Sequence, residues 1–193
     1  MTAARKWNLV SVEDYLAAEE DSPIKHEYVA GVVYAMAGAR NVHNEISLNI
    51  SGELRTRLRG KPCKPYNSDT KIRIRSASEI RFYYPDASVT CKRNRPSDTF
   101  QDRPAAIFEV LSRQTRRIDE GEKKEAYLGI PSLKVYALVE QNEPAVVLFR
   151  RKGSAFIREV YEGVGAIIPL PEIGVELPLS EIYAEVEFPS GRR

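Results

Sequence analysis

The chain is poor in the residues from which many metal and nucleotide sites are made. Among its 193 residues are two histidines and two cysteines. Cys63 and Cys91 form no Cys-x-x-Cys pair, which excludes a zinc ribbon, and two histidines are too few for a His-rich metal motif. No glycine-rich phosphate cradle of the P-loop kind occurs. No apolar run reaches the roughly 18 residues of a membrane span, and none follows Met1 as a secretory leader would. These absences predict a soluble cytoplasmic protein in which Cys63 and Cys91 are separate, reduced thiols. The net charge of +2 is too small to mark a nucleic-acid binder by itself.

What is present is enough for one ordinary domain spanning residues 1–193, with a hydrophobic content of 42% and about two-thirds of the unfolded surface buried on folding. Ser11 followed by Asp14 reads as a helix cap, so a helix is expected over 12–20, stopping before Pro23. Residues 25–37 read as a β-hairpin turning at Ala30-Gly31. Val42, Ile46, Ile50, Leu54 and Leu58 recur every fourth residue, which predicts a long helix from Asn41 to Arg59. Lys71-Ile72-Arg73-Ile74-Arg75 alternates as a half-exposed strand does. Residues 81–90 and 105–111 are apolar enough for central strands buried on both faces, and Lys92 to Pro104 reads as a basic loop. A helix over 119–128 and strands over 133–140, 145–151 and 156–162 follow. Pro169, Pro171 and Pro178 then predict an irregular wrap, and the polar tail after Glu187 is expected to be disordered. Strand 105–111, helix 119–128 and strand 133–140 form a βαβ unit. The fold class is α/β or α+β, with the sheet central.

Two acids interrupt the apolar strands: Asp86 in Tyr84-Pro85-Asp86-Ala87, and Glu109 in Ile107-Phe108-Glu109-Val110-Leu111. An ionised carboxylate in such a run is costly to bury unless it is compensated. Two of them on strands expected to be neighbours point to a shared divalent cation. Mg²⁺ held by one or two carboxylates and several waters suits phosphodiester hydrolysis. A lysine is the natural third member, to orient water or offset charge on the phosphate. Position 111 is leucine, so that lysine must come from the next helix, where periodicity alone leaves Lys123 and Lys124 both open.

The order helix, strand, Pro-Asp strand, Glu strand and helix resembles the PD-(D/E)XK restriction-endonuclease-like superfamily. Across nearly its whole length the chain resembles the Uma-type family of bacterial endonucleases. The segments that carry the resemblance are Ser11-Val12-Glu13-Asp14-Tyr15-Leu16, His26-Glu27-Tyr28-Val29-Ala30-Gly31, Met36-Ala37-Gly38 with His43 following, Tyr84-Pro85-Asp86, Phe108-Glu109-Val110-Leu111-Ser112, and Asp119 to Tyr127. The resemblance implies an α/β/α core that binds Mg²⁺, or Mn²⁺, through Asp86 and Glu109, with Lys123 as a lysine moved from strand to helix. It also implies a role for Glu27 in or behind the metal shell, and for His43 beside substrate or water.

The function expected is a metal-dependent endonuclease acting on DNA, with Arg113, Arg116 and Arg117 holding flanking phosphates and, by analogy, a homodimeric assembly. The competing expectation is a catalytically silent nuclease fold that binds nucleic acid or regulates a partner. Ordinary structural roles compete at each residue. Asp86 would be a strand-start acid, Glu27 one half of a cross-strand pair, and His43 a helix-start residue. Asp69 and Lys71 are read as structural. Tyr83 and Tyr84 could stack on bases, but are read as half core and half surface.

Overall fold

The computed structural model describes residues 9–188. The elements run α1 (Val12–Glu20), β1 (His26–Val29), β2 (Val32–Ala35), α2 (Asn41–Arg57), β3 (Lys64–Asn67), β4 (Lys71–Arg75), β5 (Ile80–Tyr83), β6 (Ala87–Thr90), β7 (Phe100–Gln101) and β8 (Pro104–Val110). Then come α3 (Arg116–Ile118), a π-turn over Asp119–Lys123 and α4 (Lys124–Leu128), which run on as one helical stretch. β9 (Val135–Val139), β10 (Ala145–Lys152), β11 (Ala155–Glu162), β12 (Ile167–Leu170), β13 (Val175–Pro178) and α5 (Leu179–Ile182) complete the order.

Local chemistry explains the N-terminal elements. The Ser11 hydroxyl accepts the Asp14 amide at 3.0 Å and caps α1. The β1–β2 turn needs positive φ at both central residues, Ala30 (49°) and Gly31 (94°), as a twisted two-residue hairpin does. A Cβ on Gly31 would also come within 2.8 Å of the Leu9 side chain. This hairpin sets Glu27 directly opposite Tyr34. α2 forms on the four-residue period of the sequence and buries Ile46, Ile50 and Leu54. Each such side chain contributes about 1.5–3 kcal/mol.

The strands form a six-stranded sheet in the order β11-β10-β9-β8-β6-β3, a five-stranded sheet in the order β2-β1-β5-β4-β7, and the pair β12-β13. β8 and β9 run parallel, bridged by the helical stretch 116–128. α2, α5 and β12–β13 close one aliphatic core with Ala106, Phe108 and Val110 of β8. Ile107 and Leu111 face a second core with Tyr83, Tyr127 and Tyr136. The class is the mixed α/β one expected.

Several expectations need correction. The run 81–90 is not one strand. Pro85 breaks it, β5 joins the five-stranded sheet and β6 the six-stranded one. The loop 92–104 contains β7, paired in parallel with β4, and β3 has too few apolar residues to stand out. The predicted wrap around Pro169 and Pro178 is the β12–β13 hairpin. The cysteines are not separate thiols. Lys64 pairs with Thr90 across β3 and β6, so Cys63 and Cys91 face each other with Cα atoms 3.9 Å apart, joined as a disulfide. Residues 189–193 of the polar tail lie outside the described residues. Among the described residues no helix is long and apolar enough to cross a membrane.

Candidate active site

β6 and β8 are antiparallel neighbours with Ala87 opposite Phe108. One step further along that register, Asp86 stands beside Glu109. The backbone fixes Asp86 firmly: its Oδ2 accepts the Val110 amide at 2.7 Å. The same oxygen lies 3.2 Å from Nε2 of His43, in the first turn of α2. The Ser47 hydroxyl, one turn on, donates to the Asp86 carbonyl at 3.3 Å. Thus α2 buries aliphatic side chains along its length and offers polar groups to Asp86 near its start.

The helical stretch approaches from the other face of the sheet. Asp119, Lys123 and Tyr127 are spaced four apart and all are buried. Lys123 Nζ sits 2.8 Å from Glu27 Oε1, 3.7 Å from Asp119 Oδ1 and 3.8 Å from Glu109 Oε1. The Tyr127 hydroxyl donates to Glu109 Oε1 at 3.2 Å. Glu27 reaches in from β1, and its Oε1 also accepts the Tyr84 amide at 3.4 Å. Lys124 points elsewhere, its ammonium 5.3 Å from the Phe149 ring centre. Glu27, His43, Asp86, Glu109 and Lys123 are therefore brought together.

Protonation in this cluster follows from burial and crowding. Glu109 is 4% exposed. Burial pushes its carboxyl well above the ordinary range, Asp119, Asp86 and Glu27 push the same way, and Lys123 opposes them. Asp119 is raised chiefly by burial, against the pull of Lys123. Burial works against the Lys123 ammonium, but Glu109, Glu27 and Asp119 outweigh it and hold the charge. Burial likewise opposes charge on His43, while its contact with Asp86 prevails and raises it.

The donor set is made of hard carboxylate oxygens, the ligands that suit Mg²⁺ or Mn²⁺. Glu27, Glu109 and Asp119 surround the ammonium of Lys123, and Asp86 stands beside Glu109. Asp119 Oδ1 and His43 Nδ1 are buried without a hydrogen-bond partner. Asp86 Oδ1 and Glu109 Oε2 engage no donor among the described residues. No three acidic, histidine or cysteine side chains among the described residues converge to enclose an ion. The two acids with an oxygen free of any donor fit a cation held by the Asp86–Glu109 pair and completed by waters, the way Mg²⁺ is usually bound.

The three arginines do not act as a group. Arg116 is paired with Glu140 at 2.9 Å and 2.5 Å and with Glu120 at 3.0 Å, which raises its pKa further. Arg113 and Arg117 are exposed. Sequence reasoning missed Asp119 and Tyr127 as members of the cluster. The spacing 119, 123, 127 on one helical face was the available signal.

The sequence pattern of the Uma2 family, described as "Putative restriction endonuclease", matches residues 12–180. Two uncharacterized proteins of Synechocystis sp. are similar. One is 33% identical over 180 residues, covering 93% of this chain and 94% of its own. The other is 29% identical over 136 residues, covering 69% of this chain and 76% of its own. The crystal structure of "a putative nuclease belonging to DUF820" from Anabaena variabilis superposes with a TM-score of 0.69 at 14% identity, over 91% of this chain and 98% of that one. At that identity the likeness bears on the fold alone.

Proposed function

The chain belongs to the Uma2 family, and on that footing we propose that the cluster around Lys123 is the active site of a Mg²⁺-dependent endonuclease hydrolysing phosphodiester bonds in DNA. One observation carries the reading. An ammonium delivered by a helix sits among Glu109, Glu27 and Asp119, beside the backbone-fixed Asp86. That unites the acids and the lysine which phosphodiester hydrolysis requires.

Asp86 and Glu109 would hold the cation, which when bound offsets phosphate charge and acidifies a water. Lys123 positions the attacking water and offsets charge developing on the phosphate oxygens. Tyr127 holds Glu109 Oε1 in place, and Glu109 Oε2 would be the oxygen available to the cation. His43 and the Val110 amide do the same for Asp86. Arg113 and Arg117, exposed just after Glu109, supply contacts to flanking phosphates, while Arg116 braces the helical stretch through Glu140. Cutting both strands of a duplex calls for two such sites, so a homodimer is the expected assembly.

Purified protein incubated with supercoiled plasmid and Mg²⁺ tests this reading. Nicked or linear product that vanishes with chelator and in Asp86→Asn and Glu109→Gln is the expected result. Cleavage that persists unchanged in both variants overturns it. Because no three acidic, histidine or cysteine side chains among the described residues converge on one point, the second reading is a silent nuclease fold that binds nucleic acid. Calorimetry showing no Mg²⁺ or Mn²⁺ binding, together with salt-dependent DNA binding, would select it.

A further inference from the structure

Tyr84, whose amide donates to Glu27 of the acid cluster, also lines a cavity that includes none of the cluster's own residues. This cavity, of about 490 Å³, opens between the end of α1, β3, the start of β4 and the loop before β7, and Tyr66, Lys71 and Tyr84 are among its lining. Lys71 is 4% exposed. Its ammonium lies 5.7 Å from the Tyr15 ring centre and 5.4 Å from that of Tyr84. Among the described residues it makes no hydrogen bond or ion pair. Aromatic faces attract a cation but offer no acceptor for its three N–H donors. Burying an ammonium with its donors unmet is costly, and burial indeed lowers the pKa of Lys71, against the pull of Glu19 and Glu20.

The carboxylates around the cavity differ in how far they are committed. Glu19 already accepts the His26 amide and the Tyr84 hydroxyl. Asp69 is held by Lys25 at 2.6 Å, and Asp98 by Arg95 at 3.0 Å. Glu20 alone of the four makes no hydrogen bond or ion pair among the described residues. The cavity thus presents an unmet buried donor, an uncommitted carboxylate and tyrosine walls. Arg93 and Arg95 also line the cavity, together with the four acids, and so mixed a lining does not suit a bare anion. It suits a flat ring with a carbonyl beside N–H groups, and among the purines guanine has that edge: O6 for the lysine, N1–H and the 2-amino group for the carboxylate, and a face for the tyrosines.

We propose that this cavity receives a guanine base of the polynucleotide next to the bond being cut, read by Lys71 and Glu20 against Tyr66 and Tyr84. The assignment rests on the nuclease reading only for its setting. The Tyr84 amide donates to Glu27 of the cluster and Asp86 follows two residues later, so a base held here belongs to a nucleotide close to the reacting phosphate. Lys71 and Glu20 then determine specificity, and the acid cluster does the chemistry.

The test is calorimetry on the full chain without divalent cation, using GMP, IMP, AMP and inorganic phosphate as probes. GMP should bind at least about tenfold more tightly than AMP, the discrimination of one good lysine–guanine contact. IMP, which lacks the 2-amino group, should fall between them. Lys71→Met should erase the preference, and Glu20→Gln, at an exposed position, should reduce GMP to the level of IMP. If Lys71→Met does not fold, as judged by its thermal melt, Glu20→Gln decides. Equal binding of GMP and AMP, phosphate binding as tightly as GMP, or no binding of any probe overturns the proposal. So does a preference that survives both variants. Because no turnover is measured, plasmid cleavage without GMP binding leaves the nuclease reading standing alone, and GMP binding without cleavage leaves this pocket standing alone.

Discussion

The two faces of β8 differ in chemistry although all seven of its residues are buried. Ala106, Phe108 and Val110 enter an aliphatic core closed by α2 and α5. On the opposite face Glu109 stands between Ile107 and Leu111, and its neighbours are Lys123 and Tyr127. The first face is stabilised by apolar area removed from water. The second would be unstable on that basis, and holds together because an ammonium and a hydroxyl meet the acid. Equal burial therefore conceals two requirements: one face must be filled, the other must be compensated.

Truncation on the filled face should have the largest effect. Phe108→Ala should lower the unfolding free energy by about 3–5 kcal/mol, measured by urea denaturation. A loss below about 1 kcal/mol would show that this face is less closely packed than Phe108, fully buried, indicates. On the compensated face, Lys123→Met keeps the volume but removes the charge and leaves Glu109, Glu27 and Asp119 uncompensated. Breaking a buried pair from one side costs about 3 kcal/mol or somewhat more. The loss should shrink as pH falls and the acids protonate. A variant as stable as the parent at neutral pH would mean that the acids are already neutral there.

Glu109→Gln separates the two requirements most clearly. The amide fills the same space and removes the charge, and Glu27 and Asp119 still compensate Lys123, so stability should change by about 1 kcal/mol or less. Plasmid cleavage should nevertheless fall by roughly 10²–10³-fold or more. Parallel losses of stability and cleavage would make Glu109 a structural residue.

How much of this was legible in the sequence depends on range. The α2 helix, the β1–β2 hairpin and the burial of β8 on both faces follow from patterns within a few residues. Asp86 and Glu109 stood out because each interrupts an apolar run. The sheet to which a strand belongs is a long-range property. Nothing near Pro85 says that β5 and β6 separate into different sheets, and nothing near Cys63 says that β3 will bring it opposite Cys91. Asp119 lay in between. Its spacing to Lys123 and Tyr127 was visible, but ordinary helices carry exposed acid–lysine pairs at that spacing. Only the packing of that face onto Glu109 turns the three into part of the cluster. Arg116 shows the converse, a basic residue well placed in sequence but taken up by Glu140, which follows the neighbouring strand β9.

The smallest effect gives the sharpest view of compensation. Burial raises the pKa of Glu109, so the carboxyl tends to keep its proton, whereas a cation ligand must give it up. Mg²⁺ binding should therefore release protons and tighten as pH rises through that elevated value. Calorimetry in two buffers of different ionisation enthalpy reads the proton directly. The Tyr127 hydroxyl donates to Glu109 Oε1 and so favours the carboxylate form. Tyr127→Phe removes that hydrogen bond, so the pKa of Glu109 should rise further. The pH profile of metal binding should move to higher pH, with affinity at high pH little changed. A profile that stays in place would show that Tyr127 only fills space, and the hydroxyl would then have no part in compensating Glu109.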